Sequence, residues 1–404
     1  MNKQTMSNHF YQAGRYASFL FALSLFFSKA VHNISFGIGM LCFFVVWGLK
    51  KESVEFGDKQ LRTSILIMTI GLALFTSFST IGLESTQKVI TRYYKYLMFF
   101  PLVAFIHNKK YLGIFLVVCL CSLTISHILS ADILYLQLHR KNKYFDLIGY
   151  ANILSIACGA LLSFVLFWQT NTKTRILLWV LLGLSFYSLV LIGTRGAYVA
   201  VIPVILFLCF VKSKKLCLLA VLLSVGLYSA LPVSYHNLIK SIGNTNHADN
   251  KIRILMWKAS VYTFTKNPVF GAGYGGNDKF FKEYYKSSGD WDYVKTRYPE
   301  QDNAHSTYFS WLSRFGLMFF FLMYLKFWLI PRKLFILYQR KKDSFDKALV
   351  FSIAAGFLST YLSGLTENQT TKQVTGYFFV TLIALLSICL KISREKKHSS
   401  RPVI

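Results

Sequence analysis

Long apolar runs separated by short polar clusters set the pattern of this chain. The runs fall near 16–31, 34–49, 63–80, 94–106, 111–131, 147–168, 176–193, 197–211, 216–232, 306–330, 348–365 and 374–390. In lipid, backbone polar groups must be satisfied within the segment, so runs of this length predict helices. The pattern therefore predicts an all-α polytopic integral membrane protein with about 12 transmembrane helices. Residues 1–15 are polar, and no small-residue cleavage site follows the first run, which is read as a retained span. Basic clusters recur after every second run: Lys50, Lys51, Lys59 and Arg62; Lys109 and Lys110; Lys173 and Arg175; Lys212, Lys214 and Lys215; Arg332 to Lys347; and Lys391 to Lys397. This alternation predicts that both termini are cytoplasmic. The opposite side then holds 81–93, 132–146, the turn at Thr194-Arg195, 233–304 and 366–373.

The stretch 233–304 differs from the rest. It carries seven of the chain's seventeen acidic residues. Within it, 251–265 reads as an amphipathic helix with Ile254, Trp257, Val261 and Phe264 on one face. Asn267-Pro268 and the glycines of 271–276 end that helix, and 280–285 reads as a second short one. Loops of this length are usually functional. The expected organisation is nine spans in 1–232, a large outer loop with short helices in 233–304, and three spans with a tail in 305–404.

Composition sharpens this picture. Of 404 residues, 54% are hydrophobic and only 15% charged, against about a quarter charged in soluble domains. The net charge of +28 would suggest nucleic acid in a soluble protein. In a membrane protein it reflects chiefly the bias of Lys and Arg toward cytoplasmic loops, leaving room for an anionic substrate but no reason to expect nucleic acid. All seven cysteines lie in or beside apolar runs, so the large loop has neither a disulfide framework nor a thiolate zinc site.

Three features on the outer side carry chemistry. Arg195, in Gly193-Thr194-Arg195-Gly196, joins two apolar runs with almost no loop. An arginine at that depth either snorkels to the interface or is held for an anionic group. Arg253 alone reads as a solvated helix charge. His305 opens the tenth run, where a histidine by itself is a polar end residue.

Together they resemble the O-antigen ligase and polymerase family of bacterial envelope enzymes. The resemblance rests on Thr194-Arg195-Gly196 between two helices, and on Arg253, Trp257, Ala259 and Phe264 leading into Asn267-Pro268 and Gly271-Ala-Gly273-Tyr274-Gly275. It also rests on His305-Ser306 followed, after nine intervening residues, by Gly316, and on Gly364-Leu-Thr-Glu367 before the last run. The size and the single late loop look more like the ligase. The resemblance implies a sugar-chain donor on undecaprenyl diphosphate, lipid A–core as acceptor, membrane lipids as surroundings, and an active site on the periplasmic face of the bacterial inner membrane. Arg195 and Arg253 would grip the diphosphate, since a guanidinium fork binds phosphate oxygens at two points. His305 would be the base that takes the proton of the acceptor hydroxyl. Arg92, Lys95, Arg140, Tyr274 and Glu367 are the expected substrate-binding residues. Arg92, Lys95 and Arg140 also fit plain anchoring to anionic headgroups, and Glu367 also fits a solvated turn. No metal or cofactor is demanded, because arginines can neutralise the leaving group.

The glycines of 271–276 match a dinucleotide fingerprint by letters, but they follow a helix and not a strand, which sets nucleotide binding aside. Asp290-Trp-Asp292 lacks further acids for a metal site. A polymerase with the same lipid-linked donor is the nearest alternative. A lipid-linked sugar transporter is a more distant one, since no repeated halves are visible.

Overall fold

A computed structural model describes residues 3–26, 28–49, 56–137, 147–230, 233–298, 303–368 and 373–399. The described residues form helices joined by turns, with no strand among them. Seven helices are long and apolar enough to cross a bilayer. The fold is thus all-α with several membrane-spanning candidates.

The remaining apolar runs also fold as helices, with informative departures. The first helix is Lys3–Ser24, so it begins well inside the polar N-terminal stretch and stops before the end of the apolar run. Its polar half is helical because it has a packing partner. Gly14 lies so close to the Phe105 ring that a Cβ would sit 2.3 Å away. The Tyr11 hydroxyl donates to the Ala104 carbonyl at 2.8 Å, and the Arg15 guanidinium lies 3.7 Å from the Tyr111 ring centroid. Residues 81–93, expected as a loop, form the helix Gly82–Tyr93.

Two runs are interrupted. The third consists of Lys59–Leu66, a π-helical turn Ile67–Gly71, and Leu72–Thr76. The tenth breaks after Thr307–Phe315 at Gly316, which has φ 52°, and contains a second π-helical turn at Leu325–Leu329. A Cβ on Gly316 would lie 2.3 Å from the Val269 carbonyl oxygen, so the break is where the 268–276 segment meets the bundle. The segment 233–298 folds as Val233–Gly243, Ala248–Lys266, Asn277–Ser287 and Trp291–Arg297. In Ala248–Lys266 the buried stripe is Ile252, Leu255, Met256, Ala259, Ser260 and Thr263, not the expected Ile254, Trp257, Val261 and Phe264. Small residues on that stripe allow close approach to Phe281 and Tyr285, with which it shares a core, whereas Val261 stays exposed.

Inside the bundle, Leu147–Phe167 packs against Thr172–Ile192, Arg195–Lys212 and Ser344–Ser363. Small residues bring the backbones close, as is usual between membrane helices. A Cβ on Gly159 would meet Val204 at 2.8 Å and Ala355 at 3.1 Å, and the Ser155 and Ser359 hydroxyls are hydrogen-bonded at 2.6 Å. The helix Ser344–Ser363 spans 20 residues, so its two ends are about 30 Å apart at 1.5 Å per residue. Beyond its start lies Asp58, which receives Lys333 at 2.9 Å and Arg394 at 2.8 Å. Its end runs into the turn 364–367, around which the candidate chemistry is gathered.

Candidate functional site

The turn 364–367 is a seat for the start of the Thr307–Phe315 helix. The Thr307 amide donates to the Gly364 carbonyl at 2.8 Å, and its hydroxyl donates to the Glu367 carbonyl at 3.0 Å. The Ser306 hydroxyl donates to the Gly364 carbonyl at 3.3 Å. These bonds fix the residue just before the N-cap Ser306, His305. Its φ is 47°, the left-handed region that side-chain-bearing residues seldom occupy. Two contacts hold it there. The His305 amide donates to the Asn303 side-chain oxygen at 3.2 Å, and Trp257 Nε1 donates to the Ala304 carbonyl at 3.1 Å. Backbone strain maintained by its surroundings is frequent at functional sites. The imidazole Nε2 is hydrogen-bonded to the Tyr298 hydroxyl, and that ring stands edge-on at 4.9 Å.

The arginines arrive from two other elements. Arg253 extends from Ala248–Lys266 to the buried Glu367, Nη2 to Oε1 3.4 Å. That helix is held in register by Trp257, whose ring stacks on Phe309 at 5.1 Å and 10°. Arg195 is the first residue of Arg195–Lys212. Gly193, with φ 67°, closes the preceding helix in the left-handed conformation, and Thr194 caps the next. Gly196 then abuts the 364–367 turn, since a Cβ would lie 2.7 Å from the Thr366 hydroxyl. Arg195 Nη2 lies 3.5 Å from Asp249 Oδ2. His305, Arg253 and Arg195 therefore meet around one turn.

Their electrostatics suit an anion. A cation at the first position of a helix faces the positive end of the helix dipole, an unfavourable placement that becomes favourable once an anion joins it. Each arginine makes one long carboxylate contact through one nitrogen, and the side chains are 25% and 27% exposed. Most of their five N–H donors are left for another acceptor.

The other expected residues lie elsewhere. Tyr274 is enclosed between two guanidiniums, Arg92 at 4.7 Å and Arg314 at 4.3 Å from its ring centroid. Its ring is buried against these side chains and presents little surface of its own. Lys95 is buried against Gly376, where a Cβ would lie 2.7 Å from its ammonium. Arg140 falls outside the described residues. The Gly-rich segment does not present its amides to a phosphate. Ala272 and Gly273 donate to the carbonyls of Ser313 and Arg314 at 2.8 and 3.1 Å, and Tyr274 donates to the Ser85 hydroxyl at 2.9 Å. These bonds cap carbonyls that the end of Thr307–Phe315 would leave unsatisfied. The left-handed glycines, Gly271 above all, permit the approach: a Cβ there would sit 2.4 Å from the Arg314 carbonyl.

Sequence reasoning missed Tyr298, Asp249 and Lys326. Nothing in the sequence marks Tyr298 as a partner of His305, or Asp249 as a partner of Arg195. Lys326 carried a usable signal, since it is a charge within the apolar run 306–330. It is fully buried, with its ammonium 4.6 Å from the Trp311 ring, 5.1 Å from Tyr308 and 5.2 Å from Tyr361. It joins the His305 helix to the rest of the bundle through cation–π contacts.

No curated protein matches the chain. Residues 180–324, a stretch that contains Arg195, Arg253, the Gly-rich segment and His305 but not Glu367, match the family model described as O-antigen ligase.

Proposed function

We propose that this protein is a glycosyltransferase of the inner membrane that moves O-antigen polysaccharide from undecaprenyl diphosphate to lipid A–core on the periplasmic face. Both termini are then cytoplasmic. The observation that carries this reading is the convergence of Arg195, Arg253 and His305 on the 364–367 turn. The two arginines grip the donor diphosphate and neutralise the charge that grows as it leaves. An acceptor hydroxyl, its proton passing to His305, attacks the anomeric carbon from the opposite face. The new C–O bond forms as the bond to diphosphate breaks, and undecaprenyl diphosphate departs with inversion at the sugar. Tyr298 holds the imidazole ring in orientation. Glu367 and Asp249 position the arginines without neutralising them fully.

The test is transfer in detergent by the purified protein, with a lipid-linked O-antigen donor and rough lipopolysaccharide as acceptor. Sugar on lipid A–core supports the ligase. Elongation of the lipid-linked donor instead assigns the same chemistry to a polymerase. Movement of lipid-linked sugar across vesicles without any new glycosidic bond overturns both.

A further inference from the structure

The Asp58 end of the bundle carries a groove of about 480 Å³ between the helix Lys29–Leu49 and the helix Lys59–Leu66 with its π-helical extension. Phe43, Phe44 and Trp47 line one side, and Leu66 and Ile70 the other. Arg62 also lines it, with its guanidinium 5.3 Å from the Phe56 ring centroid. No carboxylate pairs with the Arg62 side chain among the described residues. The nearest in sequence, Asp58, is occupied by Lys333 and Arg394. Phe44 is 53% and Ile70 55% exposed, so the groove opens outward along its length. The π-helical turn Ile67–Gly71 supplies part of one wall, and such bulges often accompany functional sites.

We propose that this groove is a binding site for one anionic glycerophospholipid, with an acyl chain along Phe43, Phe44 and Ile70 and the phosphate on Arg62. The volume lies within the range of about 300–1,000 Å³ usual for small-molecule sites. An apolar channel ending at one unpaired cation matches an amphiphile with an anionic head. Charge favours an anionic over a zwitterionic lipid. Lys59 is exposed beside Arg62, and a choline head would add another cation there. Trp47, at the end of its helix, belongs at headgroup depth. The inference is independent of sugar transfer, since it uses none of Arg195, Arg253 and His305.

The experiment is native mass spectrometry of the full chain in detergent, titrated with phosphatidylglycerol or phosphatidylcholine. One lipid should bind with about a fivefold preference for phosphatidylglycerol, the effect of one basic residue at an anionic surface. Arg62→Gln should abolish the preference and Arg62→Lys should retain it. Ile70→Trp, which fills the groove from its exposed side, should weaken both lipids. Equal retention of the two lipids by the unaltered protein, or an undiminished preference in Arg62→Gln, overturns the site. So does displacement of the lipid by millimolar inorganic phosphate, which would show that the groove contributes nothing.

Discussion

Asp58 and Glu367 are both buried carboxylates, and the two are used differently. Asp58 is 3% exposed and takes two cations on one oxygen, Lys333 at 2.9 Å and Arg394 at 2.8 Å. It also caps its own helix through the amides of Gln60 and Leu61. Burial opposes its ionisation, but the Lys333 hydrogen bond, with the charges of Lys333 and Arg394, outweighs that and holds its carboxyl below the usual range. Glu367 is almost as buried, yet its contact with Arg253 is long, 3.4 Å, and the neighbouring Arg195 touches an exposed Asp249 at 3.5 Å. At the Asp58 end charge is matched closely and ties three segments of chain together. At the Glu367 end each arginine has its own carboxylate, but the contacts are long and use one nitrogen, so most of the guanidinium donors are left over. A tight ion pair is a structural joint; a loose one leaves guanidinium donors that the proposed anionic donor would use.

The strongest way to break this contrast is His305→Asn. It keeps a hydrogen-bonding side chain but takes up no proton near neutral pH, so transfer should fall by about 10²–10⁴-fold. Protein level and donor binding should stay near normal. Full activity in His305→Asn would mean that the residue only shapes the helix start.

Next come Arg195→Lys and Arg253→Lys. Both keep charge and lose the fork, and each should cost about 10–100-fold in transfer, with weaker donor binding in a titration. Unchanged donor affinity in both variants would remove the diphosphate clamp. A smaller effect is expected from Glu367→Gln. It leaves Arg253 without its carboxylate and should change the donor KM by about threefold, with kcat nearly kept, because an anionic donor can itself hold the arginine.

Asp58→Asn should have the least effect on transfer per folded molecule and act on stability instead. The loss should be about 3 kcal/mol, at the low end for a broken buried pair because Arg394 is half exposed. The sign with pH follows from the lowered carboxyl. The stabilisation is complete above the ordinary value of 3.8 and is lost as pH falls through the lower value in the folded protein. Thermal melts of the unaltered protein should therefore drop in strong acid, and Asp58→Asn should flatten that dependence.

Much of the site was legible, for reasons that differ by residue. Arg195 stood out because a charge between two apolar runs is costly, and His305 because it opens a run directly after a polar stretch. Ala248–Lys266 was legible as a helix, but its buried face was misjudged. Apolar periodicity favoured large residues, whereas the real contact uses Ala259, Ser260 and Thr263, whose small size lets Phe281 and Tyr285 approach. The Gly-rich segment was marked as special, yet its bonding to 313–314 depends on a helix end far along the chain. Tyr298 had no signal at all, because a tyrosine becomes a histidine's partner only once the chain between them has turned back.

The sequence by itself determined the all-helical class, the alternation of apolar runs with basic clusters, and the residue types suited to a phosphate-bearing donor. These follow from local composition, since a bilayer-length apolar run has only one way to satisfy its backbone. Only the tertiary structure decided that Arg195, Arg253 and His305 meet on the 364–367 turn, and that the ion pairs at Asp58 are short while those of Arg253 and Arg195 are long. Such pairings join residues more than a hundred positions apart, as Arg253 to Glu367 and Asp58 to Arg394 do. No local pattern encodes them, because their energy exists only after the intervening helices have packed.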